Sequence, residues 1–470
     1  MLHFNEDYFK TEKRDGFVIN ELMKRAWAAQ LEVLGKVIEI CDKYNITYYA
    51  YYGTLLGTIR HQGYIPWDDD LDIAMTKENY IRFLEVAKNE LPEEYCILNC
   101  YTETEYEHML TRITNGPYID LSDKRMSEYH GCPFSVGIDI FPLYYVPRDP
   151  GNAAVQNAIL TAITEIFNVI GEADLTNDEN KAVLMEGLSA LEQATGYQFT
   201  DDRPLYNHLK ILYDQISRLF TEQESDALAI FPTYFQGGYI IEKELLAESV
   251  QMPFENIMLN VPKGYDAILR KMYGEYMTPR NVRAGHDYPF YKGQLQELVK
   301  YMDEQAAKEK GLNGEVLTDA AEVGIDEKTG IQLPKEWLDK LYADGRRKKI
   351  LLYHTSADSL ICQETYTDTK LRYVFDLCRE NEDILLWWMP GISGKTKLDY
   401  VKQMAPKLMK GYEQATKEFL EGNIGIYDDS GDLQRAIFMA DAYFGDDGEV
   451  LNLFKETGKP IMIQDYEIAQ

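Results

Sequence analysis

The sequence predicts an α+β domain with a small mixed sheet and helical additions, followed by an α/β, Rossmann-like domain. Three observations carry this expectation. In the first 300 residues, short β-rich runs at 46–52, 70–73 and 136–141 stand among longer stretches of helical period. From Lys348 onward, strand-like and helix-like runs alternate at the spacing of a parallel sheet. Between them, Gly311 to Gly330 is rich in Gly and Asp/Glu and weakly apolar, as a linker would be. The expected division is residues 1–300, a linker at 301–335, and 336–470.

Each element has its own reason. Over 19–44, Met23, Trp27, Leu31, Leu34, Ile38 and Cys41 recur at helical spacing. Ile46 to Tyr52 is β-rich and predicts a strand, after which Gly53-Thr54 turns into a short helix through Leu55, Leu56 and Ile59. Thr76 is a natural N-cap for a helix striped by Tyr80, Phe83, Leu84, Ala87 and Leu91. Val136 to Phe141 reads as a strand that Pro142 stops. Residues 151–230 read as mostly helical, 254–262 as a strand pair, 265–276 and 293–310 as helices. Strands are expected at 349–353, 384–388, 424–427, 442–444 and 460–463.

The formal net charge of -30 repels nucleic acid and anionic lipid, which argues against a nucleic-acid partner. The six cysteines form no Cys-x-x-Cys pair, so a zinc site is not expected and reduced thiols fit the cytosol. The first 16 residues hold no apolar signal core, and no uninterrupted apolar run reaches a membrane span. The expected location is cytoplasmic, with room for peripheral attachment at the inner face of the membrane.

The chemistry gathers in Arg60-His61-Gln62-Gly63-Tyr64-Ile65-Pro66-Trp67-Asp68-Asp69-Asp70, closed by Leu71-Asp72-Ile73. Residues two apart on a strand share a face, so Asp70 and Asp72 lie side by side. Such a pair raises its own pKa values unless a cation joins it, and a divalent metal is the best reason for it. Asp139, set between Ile138 and Ile140, is a third acid within a core strand. Taken alone it reads as a salt-bridged aspartate, and Asp68-Asp69-Asp70 alone as a solvated turn.

Together, Gly-Thr after a strand, Asp-x-Asp on the next and a later single acid on a third follow the plan of a nucleotidyltransferase-like domain. The Gly53-Thr54 turn would offer backbone N–H groups to phosphate. The acids would hold one or two Mg²⁺ (or Mn²⁺) ions, which take a few carboxylates together with phosphate and water. Asp139 would complete that metal site or take the proton of the attacking hydroxyl.

The stretch Ile46 to Met75, with Gly137-Ile-Asp-Ile-Phe-Pro-Leu143 and, more loosely, Pro262 to Pro279, resembles the LicD family over roughly residues 17–300. The resemblance implies a phosphotransferase that moves phosphocholine or a polyol phosphate from a CDP-activated alcohol donor to a glycan acceptor such as teichoic acid, lipopolysaccharide or capsule. It implies Asp70, Asp72 and Asp139 as catalytic residues and metal ligands. Gly53 and Thr54 would sit at the donor phosphates, with Arg60 and His61 as candidates for the same charge. Alternative readings are nucleotidyl transfer to a small acceptor, or a non-catalytic glycan-binding or assembly protein.

Trp67 is expected to pack the loop. Tyr48, Tyr49, Tyr51 and Tyr52 suggest an aromatic cage for choline, but alternation sends them to both sheet faces. Arg280, Arg283, His286 and Lys292 form the clearest basic cluster. Residues 336–470 resemble the C-terminal half of GT-B glycosyltransferases. Asp446-Asp447-Gly448-Glu449 would repel a diphosphate there, which favours a docking, scaffold or oligomerisation module over a second active site. The glycines of Gly391-Ile-Ser-Gly-Lys-Thr396 are too close for a P-loop.

Overall fold

The computed structural model describes residues 1–172, 176–231, 234, 238–279, 288–309, 322–343, 345–362 and 367–463. Of the basic cluster, Arg280, Arg283 and His286 lie outside these residues, as does 310–321 of the expected linker.

Contacts divide the chain into two units. The first comprises residues 1–4, 27–120 and 135–290, and the second residues 5–26, 121–134 and 291–470. The boundary therefore falls at 290 rather than 300, and two earlier segments group with the C-terminal part. The described end of the expected linker is ordered: Val323–Ile325 pairs with Gln332–Pro334 as an antiparallel hairpin.

The first unit is built on a mixed seven-stranded sheet. Tyr49–Ala50, Asp72–Thr76, Gly137–Pro147, Thr111–Thr114 and Cys96–Leu98 follow one another across it. Asp72–Thr76 runs parallel to Gly137–Pro147, and the remaining pairings along this path are antiparallel. The expected strand at 46–52 shortens to Tyr49–Ala50, because Tyr52 takes φ 38° and opens the helix Tyr52–Arg60.

Pro142 does not stop its strand, which continues to Pro147. On one side Thr111–Thr114 pairs with residues 137–140, and Ser225–Ala229 takes over from Tyr144. Pro142 falls in the gap between these two partners, where its missing N–H leaves no ladder bond unmade.

The helical layer arises from apolar stripes. Helices Glu21–Tyr44, Lys77–Glu90, Pro150–Glu172, Asp178–Thr195 and Leu205–Ser217 fall where the period places them. Thr76 precedes Lys77–Glu90 in the extended cap conformation, but its side chain accepts from Asn79 Nδ2 and caps no backbone N–H. Leu160, Ile163 and Ile166 pack with Leu188, Leu209 and Leu212 into one core. Helix Pro150–Gly171 is long and apolar enough, by length and composition, to cross a membrane. The strand pair expected at 254–262 is the hairpin Ser249–Phe254/Ile257–Pro262.

The second unit holds five parallel strands in the spatial order Gly425–Tyr427, Ile384–Met389, Lys349–His354, Ala442–Gly445, Ile461–Ile463. All five lie where strands were expected. Trp387, Ile350, Leu352, Tyr443 and Phe454 are among the residues of its core.

Candidate active site

The acidic segment is held from several directions before any ligand is considered. Tyr64 stacks on Trp27 with ring centroids 4.3 Å apart, and its hydroxyl meets Gln30 Oε1 at 3.1 Å. Gln30 Nε2 donates to the carbonyl of Asp69 at 2.8 Å. The backbone N–H of Phe290 donates to Asp69 Oδ2 at 2.6 Å. Asp69 is fully buried and faces the protein, so it anchors the loop.

Asp68 lies on the other side of that loop. A Cβ on Gly53 would collide with the Asp68 carboxylate. The glycine thus lets a carboxylate approach the start of the nine-residue helix Tyr52–Arg60, where N–H groups and the helix dipole favour negative charge. Asp68 and Asp69, alike in sequence, are separated by their surroundings.

Asp72 opens its strand and Asp70 precedes it. Thr54 Oγ1 accepts from the N–H of Asp72 at 2.8 Å, and the N–H of Tyr51 donates to the Asp72 carbonyl at 3.0 Å. Thr54 is buried and its hydroxyl serves the Asp72 backbone. Thus Gly53 receives a carboxylate, while Thr54 positions the acidic strand.

The parallel register places Asp72 directly beside Asp139. On the other side, the antiparallel register places Arg112 beside Asp139. Arg112 Nε donates to Asp139 Oδ1 at 2.6 Å and Nη2 to Oδ2 at 2.7 Å, a two-pronged ion pair. Arg112, Asp139 and Asp72 form one row across three strands.

Asp72 is 6% exposed. Burial first, then the charges of Asp70, Asp139 and Asp68, push its carboxyl well above the usual carboxylate range, with Arg112 pulling the other way. Among the described residues no group of three His, Cys, Asp or Glu side chains is gathered so as to hold an ion alone. The expected three-carboxylate ion site of Asp70, Asp72 and Asp139 is thus not preformed, although the charges of Asp70 and Asp139 both reach Asp72. Mg²⁺ commonly takes only one or two carboxylates and draws its other ligands from phosphate and water.

The other candidates have these contacts. Arg60 Nη1 donates to the Tyr276 carbonyl at 2.8 Å. His61 faces Trp67 edge-on, with ring centroids 6.5 Å apart. Of the tyrosines, Tyr49 donates its hydroxyl to the Leu246 carbonyl at 2.6 Å, and the N–H of Asn260 donates to the Tyr48 hydroxyl at 3.4 Å. Tyr52 packs edge-on to Tyr51 and Phe141, at 4.6 and 5.1 Å. Lys292 begins the helix Lys292–Glu309 in the second unit.

Sequence reasoning missed Arg112. The available signal was an arginine alternating with Thr111, Ile113 and Thr114 in a β-prone run, a charge with no reason to sit in a strand unless an acid faces it. It also missed Tyr273, at the end of helix Tyr265–Tyr273, which the charges of Asp72, Asp68 and Asp70 reach.

Comparison with known proteins adds to this geometry. Residues 45–153 match the family model described as LicD/FKTN/FKRP, nucleotidyltransferase domain. The chain is 28% identical over 254 residues to the lipopolysaccharide cholinephosphotransferase LicD of Haemophilus influenzae, covering 53% of this chain and 88% of that protein. Over 48 residues it is 52% identical to an uncharacterized protein of Rickettsia typhi, 10% of this chain and 16% of that one. A similar 48-residue likeness, 50% identical, links it to an uncharacterized protein of Rickettsia prowazekii, covering 10% of this chain and 18% of that protein.

Proposed function

We propose, the chain being a member of the LicD family, that it is a phosphotransferase moving phosphocholine, or a similar substituted phosphate, from a CDP-activated donor to a hydroxyl of a cell-surface glycan. The observation that carries this reading is the row of Asp139 beside Asp72, with Asp70 next to it on the approach to the same strand. The relative from Haemophilus influenzae supports lipopolysaccharide as the acceptor class and choline as the headgroup.

Asp70 and Asp72 would hold Mg²⁺ or Mn²⁺, with Asp139 adjoining. When bound, the ion supplies positive charge to the phosphate oxygens and lowers the cost of the charge that develops there. Asp72 is fixed for this by Thr54 and Tyr51, which hold its backbone on both sides. The acceptor oxygen attacks the phosphorus of the transferred group. The bond to the bridging oxygen of CMP breaks, and CMP leaves with that electron pair. Asp139 keeps a free lone pair on each oxygen beside its Arg112 bonds and stands to accept the acceptor's proton.

We read the second unit as a Rossmann-like docking module that acts on the cytoplasmic side of the membrane. Asp446 Oδ2 accepts from the N–H of Ser356 at 2.8 Å, so a carboxylate stands at the ends of the central strands, where a phosphate would otherwise bind. A Cβ on Gly391 would collide with the backbone of Thr355 and Ser356, which closes the neighbouring gap.

The test is CMP release. The protein, Mg²⁺, CDP-choline or CDP-ribitol and a candidate lipopolysaccharide should yield CMP and a glycan that gains the substituted phosphate. A nucleotide on the acceptor would identify nucleotidyl transfer instead, and folded protein that releases no CMP from any CDP-alcohol would overturn the reading.

A further inference from the structure

Arg112 is the cation of the acidic row, and only part of it is engaged. Its two bonds to Asp139 use Nε and one N–H of Nη2. A guanidinium has five N–H donors. Nη1 has no hydrogen-bond partner among the described residues, and the side chain is 41% exposed although Asp139 is 12% exposed. The fork therefore meets Asp139 along one edge, while the side chain as a whole remains partly exposed.

Other cations of this unit bond backbone carbonyls. Arg60 is bonded to the Tyr276 carbonyl. Lys77, at the far end of the acidic strand, donates to the carbonyls of Arg218 and Phe220 at 3.1 and 2.7 Å. Beside Arg112, the Tyr106 hydroxyl is buried and has no hydrogen-bond partner among the described residues. This corner holds unused donors next to a cluster of carboxylates, where a diphosphate would otherwise meet net repulsion.

We propose that Arg112 is the phosphate-binding side chain of the site, its Nη1 holding a non-bridging oxygen of the donor's diphosphate while Nε and Nη2 hold Asp139 beside Asp72. This rests on the transferase reading above and adds the residue that receives the donor's charge. A planar guanidinium suits the task because it binds a carboxylate with one edge and a phosphate with the other.

The test is calorimetric binding of three probes to the full chain: CDP-choline with Mg²⁺, pyrophosphate with Mg²⁺, and cytidine. Arg112→Gln should weaken both phosphate-bearing probes on the order of tenfold, the scale of one lost charge-assisted hydrogen bond, and leave cytidine unchanged. Unchanged phosphate affinity, or an equal loss for cytidine, overturns the proposal. Melting curves report whether the variant folds. If Arg112→Gln does not, Arg112→Lys keeps the charge and loses the fork; it should show a smaller loss confined to the phosphate probes, and no loss or an equal loss for cytidine overturns the assignment. The pyrophosphate arm separates the two ideas. Wild type that binds Mg²⁺-pyrophosphate through Arg112 yet releases no CMP from any CDP-alcohol overturns the function and leaves Arg112 standing.

Discussion

Asp139 is gripped through both oxygens by Arg112 and lies in register with Asp72 on the neighbouring parallel strand. The row runs cation, carboxylate, carboxylate. Asp139 is balanced by the guanidinium. Asp72 faces Asp139, Asp70 and Asp68, and its carboxylate has no hydrogen-bond donor among the described residues. The site's electrostatic stress is concentrated on one buried aspartate.

Relieving that stress should stabilise the fold and remove function. Asp72→Asn in the absence of divalent metal should raise stability by on the order of 1–3 kcal/mol, the scale of burying an uncompensated polar group. It should also abolish CMP release. Urea unfolding of both proteins in chelator checks the first part, and an unchanged midpoint would mean that the folded chain holds Asp72 without an electrostatic cost.

The same residue gives metal binding a pH dependence. Its folded pKa is raised above the ordinary 3.8, so the folded state holds the proton more tightly than the unfolded chain. Without metal, Asp72 therefore costs stability progressively as pH rises from about 3.8 through its raised value. A divalent cation favours the deprotonated form. The melting-temperature gain from Mg²⁺ should be small near pH 4 and grow toward neutrality, and Asp72→Asn should flatten the curve. A gain independent of pH in wild type would place the metal elsewhere.

The legible part of the site was the part with local period. Asp72 and an acid between Ile138 and Ile140 announce themselves because each stands in a strand, whereas Asp70, expected on the same strand face as Asp72, lies two residues before the strand begins. Arg112 was illegible because its meaning depends on a pairing of residues 111–114 with 137–140 that no local pattern states. Asp68 and Asp69 could not be told apart for a similar reason. Their difference is made by Gly53 on one side and by Gln30 and Phe290 on the other. Pro142 misled because proline's usual veto on strand interiors lapses where one antiparallel partner ends before the next begins. The five strands of the second unit were readable as buried apolar runs. Its recruitment of residues 5–26 and 121–134 was not, since tertiary contact across a hundred residues has no signature in composition.

Gly53→Ala tests whether the start of helix Tyr52–Arg60 belongs to the reaction. In a helix, alanine is favoured over glycine by up to about 1 kcal/mol. Here the new Cβ meets the Asp68 carboxylate, which can rotate away. Stability should therefore change by less than about 1 kcal/mol, while kcat/KM for the donor falls on the order of tenfold or more as Asp68 is displaced. Wild-type kinetics in a folded Gly53→Ala protein would remove this corner from the site.

In the second unit, burial pushes Asp446 up to about 6, against an ordinary value of 3.8, despite the bond from the N–H of Ser356. The folded state binds the extra proton between those two values. Stability should therefore fall as pH rises across that window and level off above it. An asparagine at this position keeps an oxygen for the Ser356 N–H and carries no charge. Asp446→Asn should match wild type near pH 4, diverge between 4 and 6, and be more stable by about 1–3 kcal/mol at pH 7, a discounted reading of a shift worth about 1.4 kcal/mol per unit. Denaturant unfolding of the second unit's transition at the two pH values measures this. Equal stability of the two proteins at pH 7 would mean that Asp446 ionises there without penalty, and that its position beside Ser356 is open enough to water to admit an anionic ligand.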